Sequence, residues 1–142
     1  MNQSRSILES RLQQLYYLQK SIDFYQILEL QKIVYEFRII IIQYITRFDT
    51  HSIELSHRHM NIKEKRIPCH QIINKLMELL QLIEIEFRSN EEYKVMCKKI
   101  PEYMEKLNYL SLLPIQTLCT KIPICYPINV QRCNIPIDTL YP

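Results

Sequence analysis

The chain contains no glycine in 142 residues. Glycine is the default residue wherever the backbone must turn left-handed or pass close to a ligand, so its absence constrains both folding and chemistry. A P-loop, a dinucleotide-binding G-x-G-x-x-G turn, a G-x-S-x-G nucleophile elbow and an EF-hand loop each require it, and all are excluded. Alanine and tryptophan are missing too, whereas Ile, Leu, Tyr, Lys, Asn and Gln abound. A strongly AT-biased genome accounts for that pattern without any functional cause. The structural consequence is the same either way: helices must stop at Asn, at Ser or ahead of a proline instead of at the usual C-terminal glycine.

The pattern of apolar residues is helical. Ile27, Leu30, Val34, Phe37, Ile41, Ile45 and Phe48 follow steps of three or four, and Leu8, Leu12, Leu15, Ile22 and Tyr25 continue the series toward the N-terminus. No proline precedes Pro68, so residues 4–48 read as one long helix or two nearly collinear ones. Forty-five helical residues would span roughly 68 Å, more than a compact domain of this size can cover. A connection is expected over residues 49–68, then a helix with Ile72, Leu76, Leu79, Leu80, Ile83 and Phe87 on one face. A further helix is predicted over residues 90–112, with Asn90 as N-cap, Glu91 and Glu92 at its positive end, and Pro101 kinking or dividing it.

The C-terminal part differs in kind. Five of the seven prolines lie in the last 29 residues, and from Leu107 onward only Lys121, Arg132 and Asp138 are charged. Ile122-Pro123-Ile124-Cys125-Tyr126-Pro127-Ile128 can neither continue a helix nor form a central strand, yet it is too apolar for a typical disordered tail. An extended arm is expected, with Ile122, Ile124, Tyr126 and Ile128 as its contact residues. If it lies on its own core it is a wrap. If it lies on another subunit, the reading favoured here, it is an anchor. The expected architecture is therefore all-α: a long N-terminal helix with two or three shorter ones over residues 1–112, followed by an extended arm over 113–142.

Charge excludes little by itself. Eighteen basic and fifteen acidic residues leave a formal charge of +3, too near balance to argue for nucleic acid. The basic residues Arg58, Lys63, Lys65 and Arg66 lie near His51, His57, His59, Cys69 and His70. RNA or ribosome binding through residues 57–70 is the competing function; zinc binding by the His/Cys cluster is another, although its spacing matches no zinc module. A solvated polar connection explains the same residues without either. Five cysteines at irregular spacing, without a secretory signal, are expected as reduced thiols. Cys119, Cys125 and Cys133 are spaced too loosely for a zinc knuckle and read as buried free cysteines packed against a partner. The longest uncharged stretch before the tail, residues 39–46, is far below the ~20 residues needed to cross a bilayer.

Catalysis has no visible support. Glu84, Glu86, Glu91 and Glu92 fall where a solvent face is expected, and no Ser, Cys or Lys stands in an activated setting. No cofactor and no resident metal are expected. Residues 1–22 carry Arg5, Arg11, Lys20, four serines and a single acid, Glu9, a composition mildly like that of a mitochondrial targeting helix.

One pair of motifs is more specific. Val34-Tyr35-Glu36-Phe37-Arg38 lies in the first helical region, and Ile85-Glu86-Phe87-Arg88-Ser89-Asn90 closes the second. An aromatic-Arg pair followed later by Phe-Arg, a polar residue and Asn resembles the LYR-motif family of small mitochondrial three-helix proteins. Here Glu36 stands where that family has Leu. The likeness covers about residues 32–112, leaving the first 30 residues and the tail outside it. It implies a subunit or assembly factor of a respiratory complex, with Phe37, Arg38, Phe87 and Arg88 at the motif positions and acyl carrier protein as a partner. With or without that likeness, the expected function is a non-catalytic accessory subunit of a large protein assembly, located in mitochondria or otherwise inside the cell, that binds its neighbours through helix faces and the arm.

Overall fold

A computed structural model describes residues 2–46 and 66–119, and within them the chain is helical with no strand. Among the described residues four helices build the bundle: α1 (Asn2–Tyr25), α2 (Leu28–Ile45), α3 (Cys69–Phe87) and α4 (Lys94–Ser111). A 3-10 turn (Glu91–Tyr93) precedes α4, and a one-turn helix α5 (Ile115–Leu118) follows it. The apolar positions read from the sequence line one shared core: Leu8, Leu12, Leu15, Ile22, Leu30, Phe37, Ile41, Ile72, Leu76, Leu80 and Ile83 are all fully buried.

The expected long helix is not formed. It breaks at Gln26 and Ile27, and α2 folds back along α1 as a helical hairpin. Gln26 takes the left-handed conformation, φ 55°. Its N–H bonds to the Asp23 carbonyl (3.2 Å), and the Ile27 N–H reaches back to the Ile22 carbonyl (3.2 Å). These are the two bonds of a Schellman stop, normally built on glycine, and the accompanying apolar contact is supplied by buried Ile22 and Ile27. The missing glycine therefore did not remove left-handed positions, as composition suggested; a glutamine bears the steric cost instead. The other helix ends use milder devices. Thr46 Oγ1 bonds the Gln43 carbonyl after α2, Ser111 Oγ bonds the Asn108 carbonyl at the end of α4, and Pro114 follows.

Cross-helix contacts set the topology. Gln31 Nε2 donates to Asp23 Oδ1 (2.9 Å) and Arg38 Nη1 to Gln19 Oε1 (2.9 Å), so α1 and α2 run antiparallel. Arg11 meets Glu86 while Ser21 meets Ile67, which sets α3 antiparallel to α1. Tyr44 packs on Tyr93 (4.8 Å between centroids), and Tyr103 donates to Glu36 (3.1 Å), so α4 opposes α2. Helices α2 and α3 thus point one way and α1 and α4 the other. The end of α2 and the start of α3 therefore lie at opposite ends of the bundle, about 27 Å apart along the 18 residues of α2. The parallel course of α2 and α3 distinguishes the described helices from a simple up-down-up-down bundle.

Asn90 caps as expected, its side chain accepting the Glu92 N–H (3.0 Å), although the first turn it opens is 3-10. Pro101 does not divide α4, which is continuous from Lys94 to Ser111. The proline sits on the exposed face of α4, so it costs one backbone bond and not the helix. Packing also extends past Leu112: Leu113, Ile115 and Leu118 pack against the core and Cys119 is buried in it.

Cysteine chemistry departs from the reduced-thiol expectation. Cys69, the first residue of α3, is joined to Cys119 by a disulfide that closes 50 residues of chain, with Cα atoms 7.2 Å apart. The pairing is tertiary, made where the start of α3 meets the segment after α5, and no spacing rule encodes it.

Candidate functional site

The apolar residues of the described helices pack into one core, and the candidate sites considered lie on its surface. The most coherent is the outer stripe of α2. At 100° per residue, Leu28, Tyr35, Ile39 and Ile42 fall within about 60° of one another on the helix. Leu28 is 64% exposed, Tyr35 59% and Ile39 40%, and Ile42 is half-buried. Exposed Lys32 interrupts the stripe. The opposite side of the same helix carries Leu30, Ile33, Val34, Phe37, Ile41, Tyr44 and Ile45 into the core, so α2 is apolar on both faces while the bundle uses only one. Single exposed apolar residues are ordinary; three along one stripe are a candidate contact surface.

Tyr35 does not stand alone in this stripe. The guanidinium of Arg38 lies 5.8 Å from its ring and 4.6 Å from that of Tyr16 on α1, and donates to Gln19. Cation–π contact on both rings ties the base of the stripe to α1. Arg38 Nε is buried without a hydrogen-bond partner, and no carboxylate pairs with Arg38 among the described residues.

The other residues singled out from the sequence are placed as follows. Phe37 is fully buried and packs edge-on against Tyr103 (5.8 Å). Phe87 is buried against Tyr93 (4.7 Å). Both rings are committed to the core, leaving no ring surface for a partner. Arg88 is exposed and pairs with Glu84 at 3.6 Å, a surface ion pair of little energetic weight. Ile122, Ile124, Tyr126 and Ile128 lie outside the described residues, as do His51, His57, His59, Arg58, Lys63 and Lys65. Arg66 stacks on the Phe24 ring at 3.7 Å. No group of three metal-ligating side chains occurs among the described residues, and none of the described helices is long and apolar enough to cross a membrane.

The remaining titratable groups are tied to structure. Arg11 makes a two-pronged pair with Glu86, Nε to Oε1 at 2.9 Å and Nη2 to Oε2. That hydrogen bonding outweighs burial and holds the guanidinium above its usual pKa. Burial, helped by the hydrogen bond to Glu36, pushes the Tyr103 phenol well above the ordinary tyrosine range. Burial and then Glu84 push the Cys97 thiol up against the opposing effect of Arg88, so it has little thiolate character. No family model, no curated protein and no solved structure matches this chain.

Sequence reasoning missed the stripe because it counted the apolar residues of α2 as one face. The signal was present: Tyr35 and Ile39 fall outside the 30-34-37-41-45 series, which already supplies a full buried face.

Proposed function

We propose that the protein is a non-catalytic accessory subunit of a larger protein assembly, docking through the outer face of α2. The observation that supports this is the stripe of Leu28, Tyr35 and Ile39, exposed on a helix whose other face completes the core. A large aromatic residue flanked by aliphatic ones, backed by a cation, is the composition of the buried centre of protein interfaces.

A mitochondrial respiratory-chain complex is the assembly proposed. The likeness of residues 32–112 to the LYR-motif family and the composition of residues 1–22 support it, and acyl carrier protein is the partner that likeness implies. The resembling segment comprises α2, α3 and α4, with α1 as an addition that covers the core on its fourth side.

A photo-crosslinking residue at position 35, expressed in the source cell, tests the docking face. It is expected to give one discrete, near-stoichiometric protein adduct, whereas the same residue at exposed Lys98 on α4 gives none. Equal and diffuse labelling from both positions would remove the proposal.

A further inference from the structure

Helices α2 and α4 adjoin more loosely than the other neighbouring pairs of the bundle. Toward one end aromatic side chains close the seam between them, Phe37 on Tyr103 (5.8 Å) and Tyr44 on Tyr93 (4.8 Å). Toward the other end the seam widens into a groove of about 810 Å³, lined by the start of α2, by α4 from Glu102 onward and by α5. Ile27, Ile33 and Leu110 are buried under its floor, while Leu28 and Tyr109 stand exposed at its edges. Among the described residues that line it, Glu29, Glu102 and Glu105 are exposed carboxylates and Lys106 is the one cation. Glu102 also meets Lys99 at 3.6 Å, an exposed pair of little weight. The groove is therefore apolar at the bottom and acidic around the rim.

Hydrogen bonding restricts what can bury itself there. The side walls are helices whose backbone groups bond within α2 and α4, and the floor is aliphatic. An extended segment would lose water from its N–H and C=O groups and find few partners in exchange. A helix carries those bonds internally and presents an apolar stripe. From Glu102 to Leu113 the groove follows α4 for about 16 Å, room for roughly three helical turns. The rim selects the charge: a stripe flanked by Lys or Arg is attracted to the glutamates, and one flanked by acids is repelled. The groove is also continuous with the docking face, because Leu28 is both the first residue of the α2 stripe and an edge of the groove.

We infer that the groove receives a basic amphipathic helix of the same neighbour that covers Tyr35 and Ile39. Its apolar side lies on Ile27, Ile33 and Leu110, and its cations face Glu29, Glu102 and Glu105. The inference rests on the docking role of α2 and specifies the chemistry of the partner. Leu28 is shared by the two parts of one interface, so nothing competes for it. On α4 the lining stops at Glu102, one turn short of Lys98, the position expected to give no adduct.

Two measurements separate this inference from the docking reading. In the first, the isolated full-length chain is titrated with a fluorescein-labelled amphipathic helix about three turns long, leucines on one face and lysines beside them, and with the same helix carrying glutamates in place of the lysines. The lysine form is expected to bind severalfold more tightly, by a margin that shrinks as salt is raised. Glu102→Lys with Glu105→Lys, both at exposed positions, should reverse the preference while the helical circular dichroism stays unchanged. Glu29→Lys on the opposite wall should act in the same direction, so that one poorly folded variant does not decide the result. Failure of both forms to bind, equal binding, or a preference that neither variant alters would overturn the inference. In the second, the photo-crosslinking residue is placed at position 109 in the source cell. It should join the same protein as position 35, through a segment whose apolar residues recur at steps of three and four between lysines or arginines. An adduct at 35 with none at 109, a different protein at 109, or an acidic joined segment would overturn the inference and leave the docking face standing. An adduct of the expected composition at 109 with none at 35 would remove the docking reading alone.

Discussion

Inside the core the Ser21 hydroxyl oxygen accepts the backbone N–H of Ile67 at 2.8 Å, joining two residues 46 apart in sequence. Ser21 is the buried polar residue among the described positions, 1% exposed. This bond fixes the start of α3 against the C-terminal part of α1. Ser21→Ala leaves that N–H buried without its acceptor, at a cost of about 1–3 kcal/mol. Urea unfolding should show the midpoint falling with little change in slope.

Gln26 bears a left-handed backbone that glycine would adopt freely. Gln26→Gly is expected to raise stability by roughly 0.5–1 kcal/mol, because relief of the Cβ clash exceeds the added entropy of the unfolded chain. Gln26→Val, β-branched at the same φ, should lower stability. Thermal melts of the two variants moving in opposite directions would establish the helix stop; a shift in the same direction for both would contradict it.

The Cys69–Cys119 link closes a 50-residue loop, and restricting the unfolded chain in this way stabilises by about 4 kcal/mol on the loop-entropy estimate. A non-reducing digest should yield the two cysteine peptides as one linked species. Reductant, or Cys69→Ser, should lower the unfolding midpoint and leave the helical circular dichroism intact at moderate temperature.

Tyr103 supplies a pH dependence. Burial and its hydrogen bond to Glu36 raise its folded pKa above the unfolded value near 10. Above pH ~10 the unfolded state loses this proton first and so binds fewer protons than the folded state, and stability falls as pH rises. Below that pH the contribution is fully present. Tyr103→Phe should shallow the alkaline limb of a plot of stability against pH, with little effect near neutrality beyond the roughly 0.5–1.5 kcal/mol of one hydrogen bond.

The four-helix core was legible because burial at steps of three and four leaves a mark in sequence: every apolar position assigned to α3, from Ile72 to Phe87, is buried. The break at Gln26 was less visible because neither glycine nor proline marks it. A local sign existed, since the step from Tyr25 to Ile27 is two residues where the helical series requires three or four. The disulfide, the Ser21–Ile67 bond and the direction of α3 were not legible, because each depends on which helix ends meet in space. The docking stripe was hidden for another reason: on α2 the residues that build the core and those left outside it belong to the same chemical class.

The account's central claim is that the outer face of α2 holds a neighbouring subunit. It is tested most directly by purifying the tagged full-length chain from its own cells under native conditions and measuring the mass of the eluting species, alongside Tyr35→Glu with Ile39→Glu. The wild-type chain should elute in a complex of defined stoichiometry well above its own 17.3 kDa, and the variant as a folded monomer with unchanged helical circular dichroism. A wild-type chain that elutes alone as a stable monomer, or a variant that remains in the complex, would contradict it.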